Sequence, residues 1–152
     1  MHKISGVFSA ALTPVKNDLS INKDLYLRHC QYLMRQGHDG LAIFGTTGEA
    51  NSFSVQEKKD HLDFLISNRI DPKILMPGTG SSSLNEAIDM TKHAANHKVR
   101  AVLLLPPFYY KNVTDEGVIN YYRHLIENVG DNELHYVLYH IPQNTYVPIS
   151  FK

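Results

Sequence analysis

Five short apolar runs recur along this chain at near-even intervals, and that rhythm limits the fold more than any single residue does. They centre near positions 9, 43, 75, 103 and 138, a mean step of about 32 residues. The spacing predicts strands at Gly6 to Leu12, Leu41 to Phe44, Lys73 to Met76, Ala101 to Leu105 and His135 to Ile141. Several are almost continuously apolar, as strands buried on both faces must be. A helical pattern fills each gap. Asn22 can cap the first helix, which runs through Leu25, His29, Tyr32 and Leu33 to Gln36 and stops at Gly37. Ser54 with Glu57, and Ser83 with Glu86, read as capping boxes opening the second and third helices. The second turns Leu62, Leu65 and Ile66 inward, and the third carries Ala87, Met90 and Ala94. Thr114 or Asp115 starts the fourth, with Val118, Tyr121, Tyr122, Leu125 and Ile126 before Gly130, and Ser150 has the look of a fifth cap.

Strand–helix alternation leaves two architectures open. One is a doubly wound open sheet of five strands, complete at this length. The other is a (β/α)8 TIM barrel, which at this step needs about 258 residues, so the chain would supply five of eight units. On that reading residues 1–152 are the N-terminal part of one barrel domain, with no second domain. The strand ends favour the barrel. Polar and special-backbone residues gather after every strand: Thr13-Pro14, Gly45-Thr46-Thr47-Gly48-Glu49, Pro77-Gly78-Thr79-Gly80, Pro106-Pro107-Phe108-Tyr109-Tyr110 and Tyr139-His140-Ile141-Pro142. A barrel builds its site from all its strand ends, whereas an open sheet concentrates ligand loops at one switch point.

The loop Gly45 to Glu49 is the sharpest of these. Two glycines permit a tight turn, and two hydroxyls and several N–H groups converge between them, which suits a carboxylate or phosphate. Charge argues for a small ligand: 15 basic and 15 acidic side chains balance, against nucleic acid or acidic lipid as partner. No apolar run approaches the length of a membrane helix. The single cysteine, Cys30, reads as a core-facing thiol in a reducing, cytoplasmic setting. His93 and His97 stand four apart on one helix face, but no third ligand is near in sequence, and they are not read as a metal site.

With those residues in view, the chain resembles the dihydrodipicolinate synthase / N-acetylneuraminate lyase family of class I aldolases. The resemblance rests on Gly45-Thr46-Thr47-Gly48-Glu49, Pro77-Gly78-Thr79-Gly80, Phe108-Tyr109-Tyr110 and Tyr139-His140-Ile141-Pro142, in that order and each at its strand end. It implies a Schiff base between a lysine amine and the ketone of pyruvate or a similar 2-oxo acid, with no cofactor. It assigns the substrate carboxylate to Thr46, Thr47 and Gly48, and a proton relay to Tyr139, Thr46 and Tyr110. Tyr110 reaches a neighbouring subunit in family members, which implies a homo-oligomer. Glu49 is read as steadying the following helix, and Lys111 as solvated. The family's Schiff-base lysine lies on strand six, which the spacing places beyond residue 152, so the chain is read as part of a longer enzyme. Where synthases proper carry an arginine two residues after the strand-five proline, this chain has Asn144. The resemblance then implies a 2-oxo-3-deoxy sugar acid rather than the synthase substrate. The dihydrodipicolinate synthase reaction itself, a non-catalytic remnant and a small phosphate-binding open-sheet domain are the alternatives.

Overall fold

A computed structural model describes residues 4–150. It contains strands β1 (Phe8–Ala10), β2 (Gly40–Ala42), β3 (Ala101–Leu104) and β4 (His135–Leu138). Helices α1 (Lys23–Arg35), α2 (Val55–Ser67), α3 (Leu84–Asn96) and α4 (Asp115–Val129) cover them, and a single turn, α5 (Pro142–Thr145), follows β4. β1 pairs parallel to β2 with Ser9 opposite Leu41, and β3 parallel to β4 with Val102 opposite Tyr136.

The expected third strand is displaced. Lys73 and Ile74 lie in a 3-10 turn that Pro72 opens and Asp71 caps. Only the residues beyond it join the wall, by parallel bridges from Leu75 to Leu41 and from Gly78 to Leu103. Their bonds are Met76 N–H to Leu41 O (2.9 Å), Gly78 N–H to Ile43 O (2.7 Å) and Leu103 N–H to Pro77 O (2.9 Å). Pro77 has no N–H to donate, so the ladder cannot run unbroken through it. The segment still ties the two strand pairs into one parallel wall whose order follows the chain. A doubly wound sheet reverses its order at a switch point, so this is a barrel wall.

The core lies between wall and helices. Leu41, Ile43, Leu75, Val102 and Leu104 from the strands meet Leu62 and Leu65 of α2, Met90 and Ala94 of α3, and Leu125 of α4. α1 buries Cys30, as expected, together with Tyr26, and packs Leu33 against the core, while Leu25 and Tyr32 are about half exposed. On α4, Val118, Tyr121, Tyr122 and Leu125 are buried and Ile126 is not. Burial pushes the Cys30 thiol up to about 12, which leaves it an inert space-filler.

Helix starts follow the sequence closely. Ser54 and Glu57 form a complete capping box. The second box is half made: Ser83 accepts from Glu86 N–H, but the Glu86 carboxylate instead accepts from the Ser81 hydroxyl at 2.8 Å. The Glu49 side chain makes no cap bond, so the start of α2 is held by Ser54 and Glu57 and not by Glu49. Ser150 ends the described residues outside any helix or strand, and any helix it caps lies outside them.

His61 on α2 gives the fold a pH dependence. Its ring is buried, Nδ1 lies 2.6 Å from Glu57 O, and Nε2 has no hydrogen-bond partner among the described residues. Burial holds its pKa below the ordinary 6.5, with Lys23 adding to the shift and Asp60 and Glu57 opposing it. The folded state therefore binds the proton less readily than the unfolded chain. Its contribution is present above the unfolded pKa and is lost as pH falls through the folded one. Melting temperature should drop on acidification from pH about 7 to 5, where histidine takes up its proton. A His61→Leu variant should drop less, and equal slopes would assign the loss to carboxylates.

Candidate active site at the strand ends

The C-terminal ends of the wall converge on a narrow cleft. Phe44, Gly45 and Thr46 line it from the loop after β2, Gly78 and Gly80 from the third segment, and Tyr139 from the end of β4. Leu103 and Leu105 form its floor. Tyr139 is half-buried and fixed by its N–H, which donates to Leu104 O at 2.7 Å.

The loop after β2 is turned by three bonds: Glu49 N–H to Thr46 O (3.1 Å), Ala50 N–H to Gly45 O (3.2 Å), and Thr13 hydroxyl to Gly48 O (2.8 Å). Thr13 thus ties the end of the first strand to the loop, a role its sequence position did not signal. Thr46 and Thr47 stand exposed at the tip while Gly48 is buried beneath. A Cβ on Gly48 would sit 2.9 Å from Ala11 O, so the close approach requires glycine.

Phe44 is the residue sequence reasoning missed. It is 1% exposed with φ of 52°, a left-handed conformation uncommon for a bulky side chain. Strained backbone of this kind persists only when its surroundings over-determine it, and it concentrates at functional sites. Here Gly78 supplies the surroundings: its Cα lies so near the Phe44 carbonyl that a Cβ would overlap it. Below, the Thr79 and Thr91 hydroxyls lie 2.8 Å apart and Thr91 also reaches Ala87 O at 2.6 Å, which fixes the third segment to α3.

Of the residues expected at a site, Thr46 and Tyr139 share the cleft and Gly48 supports it. Thr47 lies at the tip beside them. Tyr110 is set apart: it is 70% exposed, stacked edge-on against Tyr109 with ring centroids 5.2 Å apart. Lys111, expected to be solvated, is engaged. Its ammonium donates to Phe108 O and, at 3.2 Å, to Thr145 O, and lies 5.4 Å from the Tyr146 ring centroid. It therefore joins the tyrosine loop to α5, the turn that carries exposed Asn144.

A parallel wall in chain order, sheathed by helices, with hydroxyls and glycines at the strand C-termini, defines part of a (β/α)8 barrel, and its cleft opens on the face where such barrels carry their sites. The chain belongs to the dihydrodipicolinate synthetase family, whose model matches residues 3–152. It is 34% identical over 144 residues to the 4-hydroxy-tetrahydrodipicolinate synthase of Methanothrix thermoacetophila, across 95% of this chain and 47% of that protein. The dihydrodipicolinate synthase of Agrobacterium tumefaciens superposes with a TM-score of 0.92 at 32% identity, over 95% of this chain and 50% of that one. A variant of the 2-keto-3-deoxygluconate aldolase of Sulfolobus solfataricus gives a TM-score of 0.85 at 25% identity, over 95% and 47%. The chain spans about half the length of the curated relatives it matches. Among the described residues, no helix is long and apolar enough to cross a membrane.

Proposed function

We propose that the protein to which these residues belong is a class I aldolase of 2-oxo acids, acting through a lysine Schiff base with pyruvate-like substrates. The observation that carries this is the meeting of Thr46 and Tyr139, from loops far apart in sequence, in one cleft at the strand ends. In this reading Thr46, Thr47 and the N–H groups above Gly48 hold the substrate carboxylate. A family lysine outside residues 1–152 adds to the ketone, water leaves, and an imine forms. In the cleavage direction the substrate's C4 hydroxyl gives its proton to the Tyr139 oxygen as Tyr139 passes its own hydroxyl proton on to Thr46. The C3–C4 electron pair then moves into the imine, which releases an aldehyde and leaves an enamine. Thr46 passes the proton between Tyr139 and the outer tyrosine, Tyr110, whose exposed position suits a second subunit's site.

Asn144 argues for the aldehyde. An amide brings hydrogen bonds but no charge, whereas a bidentate arginine–carboxylate pair is roughly twice as strong as a neutral bond. Lacking that pair should cost about 2–5 kcal/mol in a desolvated site, or roughly thirtyfold to several-thousandfold in specificity. A neutral polar residue fits a hydroxylated aldehyde, so the proposed substrate is a 2-oxo-3-deoxy sugar acid or a similar hydroxy 2-oxo acid.

Lys111 supports a second reading, the synthase proper. Its ammonium already touches the α5 turn at Thr145 O, so it brings a positive charge to the turn that carries Asn144. One full-length preparation assayed with pyruvate plus aspartate semialdehyde, and with 2-oxo-3-deoxygluconate, separates the two. Preferred turnover of the sugar acid is the expected result. Efficient use of the semialdehyde, lost in Lys111→Met, would assign the synthase reaction to this protein and the charge to Lys111.

A further inference from the structure

The outer helices carry a second cluster, on the face away from the cleft. α2 and α3 pack side by side, and at their C-terminal ends Asp63 meets His93 and His97. Both Nε2 atoms lie 2.6 Å from the same carboxylate oxygen, Asp63 Oδ1. The three donor atoms fall within 4.8 Å of one another, and all three side chains are half-buried. The imidazole rings stand edge to face at 67°, centroids 4.9 Å apart, so both nitrogens aim at one point. A single oxygen taking two N–H donors at that length is tighter than the 2.7–2.9 Å of ordinary charge-assisted bonds. This is the crowding of three ligands around a common centre.

We propose that Asp63, His93 and His97 form a divalent transition-metal site of the zinc class that clips α2 to α3. Two histidines four apart on a helix present their nitrogens on one face, and imidazole with one carboxylate suits Zn2+, Co2+ or Ni2+. A tetrahedral ion with ligands at about 2.0–2.1 Å spreads its donors to about 3.3 Å, so Asp63 need only withdraw by a fraction of an ångström. Its carboxylate is partly exposed and free to do so. Waters complete the coordination. The field also suits a cation: His93 lies in the last turn of α3 and His97 is its C-cap, where the helix dipole is negative. One turn back, Lys59 and Asp89 pair at 2.5 Å, so the neighbouring lysine's charge is already balanced. In a barrel the helix C-termini lie at the face opposite the active site, so the clip bears on stability and not on turnover.

The test uses the full natural chain, freed of metal, with Zn2+ in competition against a chromophoric chelator and Co2+ as an optical reporter. One equivalent of Zn2+ should bind and raise the melting temperature. His93→Gln, His97→Gln and Asp63→Asn should each weaken binding at least about tenfold. His124→Gln, on exposed α4 surface, should bind as wild type. Co2+ should give visible ligand-field bands in the wild type that both histidine variants lose. Undiminished binding in the two histidine variants overturns the site. So does equal binding by wild type and the triple Asp63→Asn/His93→Gln/His97→Gln variant.

Discussion

Replacing Tyr139 by phenylalanine should lower kcat of the full-length enzyme by about 10²- to 10⁴-fold, the usual weight of a positioned proton-transfer group. The substitution removes one oxygen and leaves the ring in the cleft wall. Tyr139's backbone bond to Leu104 O is untouched, so the strand end should hold its place. Substrate affinity should change much less than kcat, because the proposal gives carboxylate binding to the loop around Thr46. Thr46→Val should lower kcat and raise KM together, since the proposal gives Thr46 both duties. Steady-state kinetics with a borohydride trap reads both effects: the Tyr139→Phe enzyme should still accumulate a reduced pyruvate adduct more slowly. A variant retaining more than about a tenth of wild-type kcat would remove Tyr139 from the relay.

Gly78→Ala should be the most damaging single methyl in the described chain. The new Cβ would overlap the Phe44 carbonyl oxygen, a backbone atom that no rotamer change can move aside. Phe44 is itself held left-handed and buried against Tyr26, ring centroids 5.7 Å apart, so it has nowhere to retreat. Overpacking in a well-filled core costs about 1–3 kcal/mol, and a clash with rigid backbone belongs above that range. A loss beyond about 3 kcal/mol is expected, seen as a collapsed melting temperature or insoluble product. Gly37→Ala makes the control: nothing lies within 4 Å of its Cβ, and only the strain of its φ of 91° is at stake. If Gly78→Ala melts within a few degrees of wild type, the close approach to Phe44 is not what holds the loop.

Sequence periodicity located most elements because apolar runs and caps are local signals. Asn22, Ser54, Thr114 and Gly130 mark helix ends where the structure has them. The third strand slipped because two prolines, Pro72 and Pro77, override the apolar run between them: one opens a 3-10 turn and the other breaks the ladder. On α1 the buried thiol of Cys30 was legible, while the burial of Tyr26 beside it was not, and Leu25 and Tyr32 stand about half exposed. Within the cleft, Thr46 and Tyr139 were legible from their strand ends. The strain at Phe44 was not, since it arises from a backbone contact with Gly78 across the wall. Nor was the company of His93. Lys59 with Asp89 and Asp63 with His93 are each 30 residues apart, close to the strand step, and that offset is how neighbouring helices of such a wall come to touch. A search for complementary residues at that offset would have found the third ligand.

The break at Pro77 has a mechanical consequence. Ladder pairing is continuous within β1–β2 and within β3–β4, but between them it passes through the short segment 76–79, by two backbone bonds to residues 41 and 43 and two to Leu103. The wall is two stiff plates and a joint. The cleft straddles that joint, with Thr46 on one plate and Tyr139 on the other. A molecule that touches both spans the joint like a splint. The distance between Tyr139 and the Thr46 loop would then be set partly by the ligand, and a bound chain would be more rigid there than a free one.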